Sequence, residues 1–505
     1  MLKTFVFLLF LIIISDSFSQ DLFSESNQND INKADIVAQV DTINITAEEF
    51  YYSYEFGPAF PKRNSNSKET HLNYIINEKL LALDGYNEGI IEQDYAKGIF
   101  SDIQSDLATE ELFRKEILPK VEISEIEINQ VIEKKLIEYE IRWLYTENEK
   151  SLEHYLIELR NAVSFDSLFY AQLNDSVFAD NRQMKSSLYN IYIKNPVFAQ
   201  ILDTLKAGNI SAPIHADDGW YIIKIDNVWK NLITNETEQN KLRSESIDAL
   251  NTSKMAELSD HYIKSLFEEE KPIIKREAFN TLRSYLGKFV LTPEKYSDWR
   301  LDMKLDSALS DLGLNRGDKY PGIFLVVSTN HNYSLDEFII WYRNREQYVK
   351  FLKSDLTEFS QSLENLIWVM VRDKMLMEIA AQKGYNKVLW VKKQSDWWRD
   401  KIAYSVYRNE LAKSITLNSN EINLMKDKKE SQSEIMSEKL SEKILYKILE
   451  LKNKYKISIN KDVLNKIKVS SENDKNAIDM YIVKRGNLIP RLAYPSIDND
   501  WASWE

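Results

Sequence analysis

LKAGNISAPIHADDGWYIIKIDNV, residues Leu205–Val228, decides how the middle of this chain folds. It reads as the end of a helix, a turn, a short strand, a tight turn and a final strand. Gly208 falls where a helix C-cap is expected, because glycine alone takes positive φ without strain. Pro213 has no N–H to offer a ladder, so it suits the start or edge of a strand. Asp217, Asp218 and Gly219 make a turn. Trp220–Ile225 then gives a β-rich run.

Upstream, Glu140-Ile141-Arg142-Trp143-Leu144-Tyr145 predicts a partner strand, and a helix is expected from Ser151 to Ala162. Ser164-Phe165-Asp166-Ser167-Leu168 opens another helix, and Pro196 with Phe198 starts a further one. Together these phrases resemble a parvulin-type peptidyl-prolyl isomerase domain. The family's helix-and-turn motif L-x-x-G-x-x-S-x-P is present as Leu205, Gly208, Ser211 and Pro213. Its first strand, x-V-R-H-I-L, is matched with Arg142 kept and Trp143 at the histidine. The last-strand motif G-x-H-I-I carries Tyr221 at its histidine. Asp175 falls where the family has cysteine or aspartate, and Asn181–Lys185, which includes Met184, replaces a glycine pair.

The resemblance implies a proline pocket walled by Phe198 and Met184 beside a polar network at Asp175, Tyr221 and Trp143, two of these positions being altered. Trp143 and Tyr221 would lie on adjacent central strands and fill that space with aromatic bulk. Turning a prolyl bond crosses a barrier of about 18–20 kcal/mol without requiring a nucleophile. Desolvating the imide and holding the proline ring can suffice. The site is therefore expected to be either a filled-in binding module or a weak catalyst using Tyr221 and Asp175. His154 and His215 are expected at the surface. No metal-ligand spacing, phosphate loop or serine-nucleophile motif is visible, and no cofactor is implied.

Outward from this segment the chain reads as helical. A strand is expected at Ile36–Val40, then a capping box from Thr46 to Glu49. A helix should begin near Lys68 and end near Gly89, another should span 92–116, and Ser124–Glu127 should cap one running to about Glu138. V-A-x-V-D-x-x-x-I-T-x-E-E-F, L-x-x-x-I-N-E-K-L-L and V-E-I-S-E-x-E-I resemble the N-terminal module of SurA-type periplasmic chaperones. The layout returns: Tyr333–Phe338 mirrors Ile45–Phe50, and Asp373–Leu376 mirrors Glu78–Leu81. Gly384 mirrors Gly89, and Glu421–Asn423 mirrors Glu127–Asn129, at offsets of 288, 295, 295 and 294 residues.

The expected fold class is α+β and mostly helical, with SurA-like helical modules flanking a small parvulin-like α/β domain. Residues 1–20 read as a signal peptide and 21–35 as a flexible leader. The helical module spans 36–137, the parvulin-like domain 138–232, and a helical connector 233–320. The second helical module spans 321–428, and a C-terminal helical segment with an aromatic tail covers 429–505. That tail is either flexible or docked on the body.

Net charge of −13 argues against nucleic acid, whose phosphates need a basic face. With no cysteine, neither disulfides nor a lipid-anchored cysteine is available. Trp397 and Trp398 are neighbours in one helical run and cannot share one face, so at least one is expected at a groove or an interface, where clients would bind. The implied function is a periplasmic folding factor that binds unfolded envelope or outer-membrane proteins without ATP, with transient membrane proximity at most and weak or lost isomerase activity. A working isomerase and a non-catalytic subunit of an envelope complex are the alternatives.

Overall fold

The protein is described by a computed structural model, which places residues 22–27, 31–63, 65–173, 177–216, 218–311, 313, 322–346, 349–416, 432–470, 482–483 and 491–503. Two compact units result. One combines Met1–Lys120 with Ala256–Glu505, and the other is Val121–Met255. The build is α+β and mostly helical, as expected. No described helix is long and apolar enough to cross a membrane.

The first unit opens with α1 (Leu22–Ser26), β1 (Ile36–Val40), β2 (Ile43–Thr46), α2 (Ala47–Glu55), α3 (Ser67–Asn87) and α4 (Asp94–Glu116). The leader reading fails at α1. Phe23 is buried against the Tyr51 ring, 5.4 Å away, and Asn27 accepts a 2.6 Å bond from the Lys468 N–H. An apolar ring within reach of a core outweighs the polarity of its neighbours. Thr46 caps α2 by accepting from the Glu49 N–H at 3.2 Å. The Glu49 carboxylate does not complete a capping box, because it takes the buried Lys79 ammonium at 2.5 Å instead.

The second unit carries α5 (Glu125–Leu136), β3 (Ile137–Thr146), α6 (Glu149–Arg160), α7 (Phe165–Ala171) and β4 (Gln183–Ser187). It continues with α8 (Leu188–Lys194), α9 (Pro196–Leu202), β5 (Ile214–Ala216) and β6 (Gly219–Lys230). Ser124 caps α5 in a full capping box with Glu127. The sheet order is β4-β3-β6-β5, all pairs antiparallel. One sheet face packs Ile141, Ile223 and Ile225 on α8 and α9, and the other packs Leu144 and Ile222 on α6 and α7. Gly208 has φ +86° as expected but is not a helix cap: α9 ends at Leu202, and the Gly208 N–H donates to the Ile225 carbonyl at 2.7 Å. The glycine shapes a loop that β6 pins down.

α10 (Glu236–Glu270) contributes residues to both units. The first unit then resumes with β7 (Ile273–Ile274), α11 (Arg276–Val290), α12 (Pro293–Asp298), α13 (Leu301–Asp311), β8 (Phe324–Val327), β9 (Asn332–Ser334) and α14 (Leu335–Arg343). Next come α15 (Leu356–Gln382), α16 (Leu389–Lys413), α17 (Gln432–Lys454), β10 (Ile457–Ile459) and α18 (Lys461–Lys466). Short strands β11 (Ile482–Val483) and β12 (Arg491–Leu492) precede the tail.

Within this unit, local details recur at the 288-residue offset. Ser334 caps α14 as Thr46 caps α2, here with a full capping box. The β1–β2 ladder shifts register between Ile36 and Ala38, and the β8–β9 ladder shifts between Phe324 and Val326. Ala47 N–H donates to the Asp35 carbonyl at 2.8 Å, and Leu335 N–H to the Ile323 carbonyl at 2.9 Å. Each ribbon takes a third strand, β10 on β1 and β7 on β8. Gly89 and Gly384 take φ +70° and +77° before the long helices α4 and α16. α16 packs on α3 while α4 packs on α15, so the two sets of helices cross over one another. Glu421–Asn423, which should mirror Glu127–Asn129, lie outside the described residues.

Candidate functional site

The candidate site lies on the α8–α9 face of the four-stranded sheet. Side chains alternate across a strand, so Ile141, Trp143 and Tyr145 share this face of β3 while Arg142 and Leu144 point the other way. Tyr221 pairs directly with Tyr145, and Trp143 with Ile223. Met184 pairs with Ile141 from the β4 edge. Asn195 caps α9 by accepting from the Phe198 N–H at 3.1 Å, and Phe198 is thereby aimed onto the sheet. Its ring stands edge-on to Tyr221 with centroids 4.8 Å apart.

Tyr221 is the centre of the arrangement. It also lies 5.0 Å from the Tyr145 ring. Its hydroxyl donates to Asp218 Oδ2 at 2.6 Å, and the Tyr145 hydroxyl donates to the Asp218 carbonyl at 2.7 Å. Burial and then the Asp218 carboxylate push the Tyr221 phenol well above its ordinary range, so it stays protonated at any physiological pH. Gly219 lets the turn approach: a Cβ there would sit 2.6 Å from the Thr146 carbonyl, and its φ is +150°. The Arg182 guanidinium lies 4.8 Å over the Tyr145 ring. The Trp143 backbone is held from both sides, by the Arg182 carbonyl at 3.0 Å and by Gln172 Nε2 at 2.9 Å.

The structure brings together Tyr221, Phe198, Trp143 and Met184 on one face. Asp175 lies outside the described residues. Tyr145, Arg182 and Asp218 were missed as site residues. Only Asp218 carried a signal, as part of a turn, and nothing in the sequence marks Arg182 as facing a tyrosine. Arg142, which the motif keeps, serves the opposite face. It forms a bidentate pair with Asp226 at 2.6 and 2.7 Å and reaches Asp166 at 2.8 Å. His154 and His215 are exposed.

Trp397 and Trp398 belong to the other unit, and neither is an exposed surface residue, though Trp397 lines a narrow seam there. They are 8% and 7% exposed in the same core. α16 is sandwiched between α3 and α4, so it has two buried sides and can bury adjacent residues on both.

Chemically, the described residues of the sheet face offer an apolar, aromatic floor, the Arg182 guanidinium and tyrosine hydroxyls already engaged by Asp218. Such a face can desolvate a peptide segment and grip its side chains. Among the described residues it offers no free general acid–base pair.

No family model matches the chain. It is 24% identical over 205 residues to the foldase protein PrsA of Oceanobacillus iheyensis, a match covering 38% of this chain and 68% of that protein. Among solved structures it is similar to PrsA of Bacillus anthracis, with 14% identity, a TM-score of 0.21, and coverage of 49% of this chain and 99% of that one. A SurA-like chaperone of Campylobacter jejuni gives 15% identity and a TM-score of 0.22, covering 46% and 97%. Superpositions that loose carry no argument of their own. By its motifs and its curated relative, the chain resembles the parvulin-type, SurA-like foldases.

Proposed function

We propose that this protein is a folding factor working outside the cytoplasm, which binds unfolded envelope polypeptides and whose parvulin-type unit has weak or lost isomerase activity. The observation that carries the reading is the closure of the space beside Phe198. Tyr221 stands where the family has histidine, packs on Phe198 at 4.8 Å and spends its hydroxyl on Asp218. A proline ring would have to displace that tyrosine to reach the pocket wall. Ile193 and Val197 remain exposed on α8 and α9, beside the same wall, and suit contact with an apolar segment. Unfolded polypeptide is thus the ligand class, bound without ATP, and the helical modules flanking the unit would share in binding.

A second reading, a working isomerase, is favoured by Arg182, whose positive charge lies against the tyrosine pair and could polarise a peptide carbonyl. A protease-coupled assay on a proline peptide separates the two. The wild type is expected at background, and the double variant Trp143→His/Tyr221→His above it. Wild-type turnover that falls on Asp175→Ala or Arg182→Met would establish the second reading. Suppression of aggregation of an unfolded outer-membrane protein by the purified chain tests the binding role.

A further inference from the structure

The last described segment of the chain runs irregularly and closes in a 3-10 turn at Asn499–Ser503, yet it is among the most buried. Ala493, Tyr494, Ser496, Ile497 and Trp501 are each at most 4% exposed. They lie along α2, α3 and α16. Tyr494 stacks on Tyr52 with centroids 4.3 Å apart and meets Phe56 at 4.7 Å. Trp501 lies 5.4 Å from the Tyr74 ring, and its indole N–H donates to Glu78 Oε1 at 3.0 Å. The Asp498 N–H donates to the same oxygen at 2.9 Å. The Asp498 carboxylate pairs with Lys401 at 2.8 Å and accepts from the Tyr404 hydroxyl at 2.8 Å, and Asp500 pairs with Arg408. Ser496 donates to the Ser53 carbonyl at 2.5 Å. A Cβ at Gly57 would collide both with the Ser496 hydroxyl and with the Ser53 carbonyl of α2.

This is how a protein holds a peptide: aromatic anchors in pockets and charge opposite charge along an irregular backbone. The walls of the groove are the helices themselves, and Ala493, Tyr494, Ile497 and Trp501 join their core. Its three helices close their own backbone hydrogen bonds, and Lys401 keeps Glu78 as a partner at 2.7 Å. A seam remains between groove and segment, lined by Ser53, Trp397, Lys401, Pro495 and Ile497.

We propose that the groove between α2, α3 and α16 is a binding site for unfolded polypeptide, and that Tyr494–Trp501 is its resident, exchangeable occupant. The ligand class is a segment that carries an aromatic residue, an acid four residues on and a second aromatic three beyond it, the last set on a short 3-10 turn. Lys401 and Arg408 select the acids, and the aromatic pockets select Tyr494-like and Trp501-like rings. An incoming segment competes with a tail already tethered at high effective concentration, so the groove answers only to strong or multivalent clients. The site is separate from the sheet face at Phe198 and stands or falls independently of it.

The test uses the full chain and a fluorescein-labelled peptide of sequence Leu492–Ser503, read by anisotropy. The double variant Tyr494→Ala/Trp501→Ala removes the resident anchors and leaves the groove intact. It is expected to bind the peptide at least about tenfold more tightly than the wild type, as release from a tethered competitor requires. A peptide carrying Asp498→Lys and Trp501→Ala is expected not to bind. Equal binding by wild type and double variant, with unchanged circular dichroism, overturns the proposal. So does a double variant that fails to fold, because the segment is then inseparable from the core. Hydrogen exchange on the wild type gives a second reading. Amides of 493–501 should exchange well before those of α3, and exchange of both only together overturns the proposal.

Discussion

His71 should make the first unit acid-labile through a single proton. Its side chain is fully buried on α3, with rings of Phe50 and Tyr54 centred 5.8 and 5.2 Å away. Nε2 lies 3.1 Å from Ser53 Oγ, and Nδ1 has no hydrogen-bond partner among the described residues. Protonation would put a charge and an unsatisfied N–H into this core. Burial, and then the nearby Lys62 and Lys401 ammonium groups, push its pKa from an ordinary 6.5 down to about 3. The sign follows from linkage. A base with a depressed folded pKa is protonated first in the unfolded chain, so its contribution is complete above pH 6.5 and is lost as pH falls toward 3. The slope is about 1.4 kcal/mol per pH unit, which comes to roughly 3 kcal/mol at pH 4.5. His71→Gln keeps a polar group for Ser53 and removes the titration. Urea unfolding followed by tryptophan fluorescence between pH 7.5 and 4.5 should show the wild type losing its advantage over the variant by roughly that amount. A wild-type-to-variant gap that stays constant to within about 0.5 kcal/mol would refute the reasoning.

Lys79→Met should cost the first unit about 3–5 kcal/mol, because Glu49 and Asp400, at 2.5 and 2.7 Å, would lose their shared buried cation. Burial alone would depress Lys79, but Asp400 and Glu49 outweigh it, and a denaturant midpoint unchanged by the substitution would show that the triad is not coupled. Gly219→Ala should destabilise the second unit by about 1–3 kcal/mol, since the new Cβ meets the Thr146 carbonyl at a φ of +150°; near-neutral thermal melting would contradict the strained turn. Arg142→Met should cost the same unit about 1.5–3 kcal/mol by leaving Asp226 without its bidentate partner, and should not alter peptide binding at the Phe198 face. A change in binding without loss of stability would relocate Arg142 to the site.

What the sequence could settle is local. Thr46, Ser124 and Ser334 announce their helices because a capping hydroxyl and the N–H it accepts from are three residues apart. Gly208 and Gly219 announce positive φ, and Pro213 announces a strand edge, for reasons contained in one residue. The recurring layout is legible too, since nearly constant offsets between landmarks can be counted without a fold. Only the tertiary structure decided the pairings between distant segments. It took Glu49 away from its own cap and gave it to Lys79 and, through that lysine, to Asp400. It buried Trp397 and Trp398 together by enclosing α16 on two sides. It set Tyr145 and Asp218 around Tyr221 and laid Tyr494–Trp501 into a groove built more than ninety residues and four hundred residues earlier in the chain. Such contacts leave no periodicity in the sequence, because their partners are chosen by the packing of helices and by the demand that every buried charge find an opposite.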